Sequence, residues 1–244
     1  MTVSLKIENL KKHFGEKVVL DDVSFELKPN SVSVIIGKSG TGKSVLLKLI
    51  AGILEQNSGS IQWHDSANGE AINMDQVSLS YMFQNNALFD SMTAFENIAL
   101  PLLESPKKVS EEEVQDRVNT LLKQLDLENI GTVYPGQLSG GMNKRVAFAR
   151  ALITKPKIVL FDEPTTGLDP ERKFTIFELI KRYKEVFGFS ALLVSHDIPE
   201  VYTIADSVIW LDDGIVKYFG APDEFDSVPD PSVKKFLKTG RIND

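Results

Sequence analysis

The stretch Gly37-Lys38-Ser39-Gly40-Thr41-Gly42-Lys43-Ser44 fits the pattern G-x-x-x-x-G-K-[ST] at every fixed position. It follows the apolar segment SVSVII at residues 31–36, which predicts a strand. It runs into SVLLKLIA at residues 44–51, which predicts a helix. A strand, a glycine-rich turn and a helix in this order begin an α/β unit, so the sequence predicts an α/β fold.

The glycine-rich turn is suited to holding the phosphates of a nucleotide. Its glycines let the backbone fold tightly with N–H groups pointing inward, and the following helix N-terminus favours negative charge. Lys43 would place its charge between the β- and γ-phosphates, and the Ser44 hydroxyl would reach Mg²⁺. A turn that merely joins strand to helix is the alternative, which the matching flanks disfavour. We predict a P-loop NTPase that binds ATP through Gly37, Lys38, Ser39, Gly40, Thr41, Gly42, Lys43, Ser44 and Val45.

A second apolar strand, at residues 158–161, ends at Asp162 and Glu163. Carboxylates at the carboxyl end of such a strand suit a Mg²⁺ site at the sheet edge. Asp162 would hold Mg²⁺, through water, and Glu163 would polarise the attacking water. Two acids after a strand are often only a solvated loop, so the interpretation depends on the pairing with the phosphate loop.

Composition restricts the class of protein. The chain has 244 residues, 42% of them hydrophobic, and a formal net charge of −7. It can bury a sizeable core, and its charge disfavours a general nucleic-acid-binding role. It has no cysteines, which excludes disulfides and thiolate metal sites. Without a signal peptide or an apolar run near the roughly 18 residues of a membrane span, we expect a cytoplasmic protein that reaches a membrane only through a partner.

The remaining patterns predict further strands and helices along one domain, residues 1–244. Ser110 is expected to cap an amphipathic helix, with Glu113 completing a capping box, and Ser139 to cap a second helix. Pro170 is expected to begin a helix of about 18 residues. Asp212-Asp213-Gly214 predicts a hairpin turn. Strands are predicted near 5–10, 18–27, 59–63, 77–82, 191–195, 207–211 and 215–219, and helices near 109–127, 141–153, 222–225 and 231–238, with a helical insertion at about 85–145.

Four further motifs make the chain resemble the ABC transporter ATPase family. Leu138-Ser139-Gly140-Gly141-Met142 resembles its LSGGQ signature, and Gln84 its Q-loop glutamine. Asp162-Glu163-Pro164-Thr165-Thr166-Gly167-Leu168-Asp169-Pro170 resembles its Walker B motif and D-loop, and Ser195-His196-Asp197 its switch histidine. The motifs occur in the family's order, and the resemblance covers essentially the whole chain.

The resemblance implies an ABC ATPase core with an N-terminal antiparallel β-subdomain and a helical subdomain at about residues 85–145. It implies that two copies pack head to tail, each ATP lying between one P-loop and the other chain's Ser139, Gly140, Gly141 and Asp169. It implies catalytic roles for Glu163, His196, Gln84 and Lys43, and Mg²⁺ ligation by Ser44, Gln84 and Asp162.

Single residues of the resemblance have ordinary alternatives. Phe14 stands where the family has an aromatic residue, usually tyrosine, that stacks on adenine, but it also suits core packing. His13 and His64 are interpreted as structural or solvated histidines. Residues 85–103 would contact a transmembrane permease through apolar side chains such as Leu88, Phe89, Met92 and Phe95, or these would pack the helical insertion.

Residues 39–48, 87–97, 195–201 and 230–237 are similar to the Mla-type phospholipid transporter ATPases, as is Met142 in the signature. That branch implies phospholipid movement between bacterial inner and outer membranes, on the cytoplasmic face of the inner membrane. Its partners are a permease, an MCE-domain lipid-binding subunit and, in some members, a STAS-domain protein. Because the sequence ends soon after Leu237, we do not expect a contact that needs a long C-terminal extension. Alternatives are an importer for another small solute, a soluble non-transport ABC ATPase and, outside the family, a metabolite kinase.

Overall fold

The computed structural model describes residues 2–240, which form two β-sheets and seven α-helices. The strands are β1 (Val3–Phe14), β2 (Lys17–Leu27), β3 (Val32–Ile36), β4 (Ser58–Asp65), β5 (Ala71–Ile72), β6 (Leu79–Met82), β7 (Ile158–Asp162), β8 (Ser190–Val194), β9 (Ser207–Asp212) and β10 (Ile215–Gly220). The helices are α1 (Lys43–Ile50), α2 (Ala94–Leu103), α3 (Glu111–Gln124), α4 (Gly140–Leu152), α5 (Pro170–Phe187), α6 (Pro222–Phe225) and α7 (Pro231–Gly240).

The central sheet has six strands in the order β10-β9-β3-β8-β7-β6. The five strands from β9 to β6 are parallel, and β10 pairs with β9 in the antiparallel sense as the predicted hairpin. Every residue of β3, β7 and β8 is buried, which is the uniform pattern of parallel strands covered on both faces. The carboxyl ends of β3, β6 and β7 therefore meet at one edge, where the glycine-rich loop begins.

Two apolar cores lie on opposite faces of this sheet. Along β3, Val34 and Ile36 belong to one core and Ile35 to the other, as the alternation of side chains along a strand requires. The four-stranded sheet β2-β1-β4-β5 packs with α1 against the Ile35 face, and its described strand pairs are antiparallel. The other face carries the apolar sides of α2 to α7.

Three helices, α2 to α4, lie in the chain between β6 and β7 and share one core. The helix α2 was not predicted separately, although Thr93 caps it and forms a capping box with Glu96. Ser110 caps α3 as predicted, since its Oγ accepts from the backbone N–H of Glu113 at 3.2 Å. The prediction that Glu113 completes a capping box is wrong, because its carboxylate pairs with Arg117 one turn later.

The predicted strand at 77–82 is also too long. Residues Met74–Gln76 form a 3₁₀ turn, and β6 begins only at Leu79. The prediction for α5 is confirmed: the helix has 18 residues, Pro170–Phe187, and is followed by a left-handed Gly188 with φ 66°. Within residues 2–240, no helix combines the length and the apolar character needed to cross a bilayer.

Candidate functional site

The glycine-rich loop joins the end of β3 to the start of α1 and wraps around the ammonium group of Lys43. Nζ of Lys43 donates to the carbonyl oxygens of Gly37 and Lys38, both at 2.8 Å. A Cβ on Gly37 would lie 2.2 Å from the carbonyl oxygen of Leu211 on β9, so only glycine fits there. Gly42 has φ 98°, a left-handed conformation that glycine adopts without strain. The tight loop follows from these two glycines.

Lys43 is buried, with 6% of its surface exposed. Burial lowers the pKa of its ammonium group, and the carboxylates of Glu163 and Asp162 partly oppose that shift. Its two direct hydrogen-bond partners are neutral carbonyls, so the loop holds a largely desolvated positive charge. An incoming phosphate would compensate this charge, because attraction between opposite charges is stronger where water is excluded.

Asp162, at the carboxyl end of β7, is buried and accepts two hydroxyl hydrogen bonds. Ser44 Oγ donates to Oδ1 at 2.7 Å, and the Tyr81 hydroxyl donates to Oδ2 at 2.8 Å. A serine hydroxyl and a carboxylate on adjacent elements provide the hard oxygen ligands that Mg²⁺ prefers. The residues present therefore fit a Mg²⁺ ion, and Ser44 and Asp162 would hold it. Gln84, the third predicted ligand, is exposed and lines one cleft together with Lys43 and Ser44.

Glu163 lies one residue beyond the strand in a left-handed conformation, with φ 49°. Its Oε2 accepts from Gln84 Nε2 at 3.1 Å and from Thr166 Oγ1 at 2.9 Å. Nδ1 of His196 lies 3.8 Å from the same oxygen. Left-handed backbone at a glutamate costs about 1–3 kcal/mol and persists only where the surroundings hold it. The structure thus brings together three of the predicted catalytic residues, Glu163, Gln84 and His196.

A cleft of about 470 Å³ has Lys43, Gln84 and Glu163 in its lining, while Asp162 and His196 are not among the lining residues. Phe14, 49% exposed, lies at this cleft with Nζ of Lys12 4.9 Å from its ring centroid, so it is not a core aromatic. Gly37, Lys38 and Thr41 are not among the lining residues and instead shape the loop: Thr41 Oγ1 donates to the Lys38 carbonyl at 2.9 Å. The lining residues are Phe14, Lys17, Val19, Ser39, Gly40, Gly42, Lys43, Ser44, Val45, Gln84 and Glu163.

The residues expected to act on the other chain's nucleotide do not line this cleft. Ser139 and Gly140 are exposed at the start of α4, and a Cβ added at Gly140 or Gly141 would meet no atom within 4 Å. Asp169 is exposed and caps α5 by accepting from the Arg172 backbone N–H at 3.0 Å. The start of α4 at Ser139 and Gly140 is therefore an exposed helix N-terminus, a type of site that attracts anions, whereas the start of α5 is already capped by the Asp169 carboxylate.

Comparison with known proteins gives a match between residues 20–166 and the family model described as ABC transporter. The chain belongs to the ABC transporter family. It has the ABC ATPase fold, it is an ATPase, and its cofactors are ATP and Mg²⁺.

Two relatives and one solved structure illustrate the similarity. This ABC ATPase is 36% identical to a sulfate/thiosulfate import ATP-binding protein of Shewanella oneidensis, over 99% of this chain and 68% of the relative. It is 37% identical to a methionine import ATP-binding protein of Campylobacter jejuni, over 96% of this chain and 75% of the relative. A dimeric ATP-binding cassette in a post-hydrolysis state with ADP and phosphate superimposes with a TM-score of 0.74 at 31% identity, covering 89% and 98% of the two chains.

Sequence reasoning missed several polar residues of the ABC ATPase site. Thr166 lies within the quoted D-loop motif, so its contact with Glu163 could have been suspected from its spacing of three residues. Buried Asp197, beside the switch histidine, accepts from Thr165 and pairs with Lys173 at 2.8 Å. No local pattern marks Tyr81, because its contact with Asp162 depends on the pairing of two distant strands.

Arg150 on α4 ties the signature helix to the segment after Gln84. Its guanidinium donates to the carbonyls of Asn86 and Ala87, both at 2.6 Å. Those two residues are left-handed, with φ 58° and 48°, a conformation that costs energy without such support. The Arg150 fork therefore holds the backbone directly beyond the Q-loop glutamine.

Arg150→Ala is expected to lower the free energy of unfolding by about 2–3 kcal/mol, since hydrogen bonds to a charged group are lost and two carbonyls lose their donor. Urea denaturation would measure the change. Arg182→Ala is the control. Arg182 is largely exposed, and its ion pair with Asp126 is long, at 4.0 Å, so little stability should be lost with it. Equal stability of the two variants would contradict the role assigned to Arg150.

Proposed function

We propose that this chain is the ATP-hydrolysing subunit of a bacterial ABC transporter, held at the cytoplasmic face of the inner membrane by a transmembrane permease. The observation that carries the proposal is the arrangement around one cleft: Lys43 and Glu163 line it, Gln84 and Thr166 hold the Glu163 carboxylate, and Asp162 bonds to the lining residue Ser44. These groups are what ATP hydrolysis requires: charge for the phosphates, oxygens for Mg²⁺ and a carboxylate for water.

Each residue has a role that follows from its position. The desolvated ammonium of Lys43 binds phosphate oxygens, and the ring of Phe14, which lines the same cleft, supports the adenine. Glu163 orients the attacking water, while Gln84 and His196, which flank its Oε2, contact the γ-phosphate side. Ser44 and Asp162 would hold Mg²⁺, which would supply neutralising charge at the phosphates. Catalysis then depends on positioning and charge, as in phosphoryl transfer generally.

A second copy of the chain completes the site. Ser139, Gly140 and Gly141 form an exposed helix start with open space around both glycines, and they do not line their own chain's nucleotide cleft. Such a surface suits the phosphates of an ATP held by a partner. The dimeric cassette with ADP and phosphate supports this arrangement by similarity. We therefore place Ser139, Gly140, Gly141 and Asp169 against the partner's nucleotide.

Mixing two inactive variants tests this sharing of sites. Lys43→Ala disables the P-loop. Ser139→Arg disables the signature surface, formed by Ser139, Gly140 and Gly141, without disturbing the core, since Ser139 is exposed. A mixed dimer retains one site built from two intact halves, so an equal mixture should recover up to about a quarter of wild-type turnover. Turnover no higher than that of the separate variants, with mixed dimers demonstrated by native mass spectrometry, would contradict shared sites.

The transported substrate needs a separate proposal, because the site described on this chain is a site for nucleotide and not for the substrate. Relatives named for sulfate or thiosulfate import and for methionine import are nearly equally similar to this chain. Sequence identity in the ATPase subunit therefore does not distinguish one transported substrate from another. Both relatives are import ATPases, which favours import of a small solute over phospholipid movement. We propose a small-solute importer as the first candidate.

Phospholipid transport with MCE-domain and STAS-domain partners is the second candidate, and it rests on the segment 87–97 and the other similar stretches of sequence. In this region Leu88 and Phe95 pack against the core, while Phe89 is 49% exposed and Leu103 is 61% exposed. Leu88 and Phe95 thus pack the helical insertion, which leaves Phe89 and Leu103 available to contact a partner. We propose Phe89 and Leu103 as the apolar contacts with the permease in either case.

A membrane pull-down with this chain as bait separates the two candidates. Mass spectrometry of the captured proteins and lipids should find a permease together with a periplasmic receptor for a small solute if the chain serves an importer. Capture of an MCE-domain protein with phospholipid would instead select the second candidate. In the same pull-down, Phe89→Asp is expected to lose the permease. Phe174→Asp, at an equally exposed phenylalanine on α5, is the matched control and should retain it.

A further inference from the structure

Tyr81 approaches Asp162 from the neighbouring strand. It lies on β6, whose residues pair in register with β7, Tyr81 opposite Leu160 and Met82 opposite Phe161. Its hydroxyl donates to Oδ2 of Asp162 at 2.8 Å, while Ser44 donates to Oδ1 at 2.7 Å. The two oxygens of this carboxylate therefore have different partners, one on the phosphate loop and one on the sheet edge.

The phenol ring of Tyr81 is partly buried and packs against apolar side chains. Its ring lies 4.5 Å from that of Phe83, centroid to centroid, and packs against the apolar core beneath the sheet. Three residues later on the same segment, Gln84 donates to Glu163. One short stretch of chain thus contacts both carboxylates at the end of β7.

We propose that Tyr81 is a positioning residue for the metal site: its hydroxyl holds Oδ2 of Asp162, which directs Oδ1 and the Ser44 hydroxyl together toward the nucleotide cleft. The inference rests on the proposed function of that cleft. Phenylalanine in place of Tyr81 would keep the ring and remove this one hydrogen bond. The carboxylate could then rotate about its Cβ–Cγ bond and lose its fixed relation to Ser44. Groups that orient a metal ligand typically contribute about 10–100-fold to metal affinity.

The test compares full-length wild type, Tyr81→Phe and Tyr218→Phe. Tyr218 is the matched control, because its hydroxyl donates to the Ala221 carbonyl at 2.7 Å on the other edge of the sheet, in the antiparallel hairpin. Mn²⁺ binding is measured by electron paramagnetic resonance with β,γ-imido-ATP, after subtracting Mn²⁺ bound by the nucleotide alone. Nucleotide affinity in EDTA and the melting temperature are measured for each protein.

We expect Tyr81→Phe to weaken Mn²⁺ binding at least about tenfold, with nucleotide affinity in EDTA and melting temperature within the range of Tyr218→Phe. Wild-type Mn²⁺ affinity in Tyr81→Phe would overturn the inference. So would an equal loss of nucleotide affinity in EDTA, or a failure to fold that Tyr218→Phe does not share, since each would give the hydroxyl a merely structural role. If wild type itself binds no nucleotide, the proposed function fails instead, and the two failures are distinct.

Discussion

Lys43→Ala is expected to reduce ATP turnover at least about a hundredfold, the usual loss when a group aimed at transition-state charge is removed. In the wild-type protein the ammonium group is buried among the carbonyls of Gly37 and Lys38 and beside two carboxylates. Alanine removes the positive charge and leaves those carbonyls without their donor. The phosphates of ATP then lose a positive charge that would contact them. Steady-state phosphate release at saturating ATP measures the loss of turnover.

The control for this variant is Lys48→Ala on the same helix. Lys48 lies in the last turn of α1 and is not among the lining residues of the nucleotide cleft. Both variants lose one lysine charge from one helix, so a general effect of charge would appear in both. Circular dichroism should show folded protein in each case. Near-normal turnover of Lys43→Ala would refute the role assigned to the loop and, with it, the site as described.

Much of the fold and the site follows from local sequence, because local chemistry fixes it. The glycine-rich loop is specified by its glycines. The need for glycine at position 37 is confirmed, because the Cβ of any other residue would clash with β9. The helix α5 begins at Asp169-Pro170 and ends at Gly188, so a cap, a proline and a left-handed glycine determine its length. These signals lie within a few residues of the feature that they predict.

Features that depend on distant partners could not be obtained in this way. The sheet order, with β3 between β8 and β9, brings together strands more than 150 residues apart, and no local pattern encodes it. The Tyr81 contact follows from this topology. The error at Glu113 is different: the capping-box pattern was present, but Arg117 at the i+4 position competes for the same carboxylate. Two local signals then conflict, and the sequence does not state which prevails.

Glu163→Gln is expected to bind ATP and to turn it over about 10²–10⁴-fold more slowly, the range attributed to a positioned general base. Glutamine keeps the shape of the side chain and an oxygen that accepts from Gln84 and Thr166. It removes the negative charge that orients water and that would repel the γ-phosphate. Because binding is preserved and hydrolysis is not, ATP should accumulate between two chains. Size-exclusion chromatography with Mg²⁺ and ATP would then show a dimer.

A control variant distinguishes the effect of losing Glu163 from the effect of losing any one carboxylate charge. Glu171→Gln, in the exposed first turn of α5, is the matched control and should behave as wild type in turnover and in chromatography. Adding Ser139→Arg to Glu163→Gln should abolish the ATP-dependent dimer, because the signature surface would no longer accept the partner's nucleotide. A Glu163→Gln chain that hydrolyses ATP at the wild-type rate would exclude Glu163 as the base. One that is slow yet remains monomeric with its permease present would exclude the shared site instead, and the two roles would have to be assigned separately.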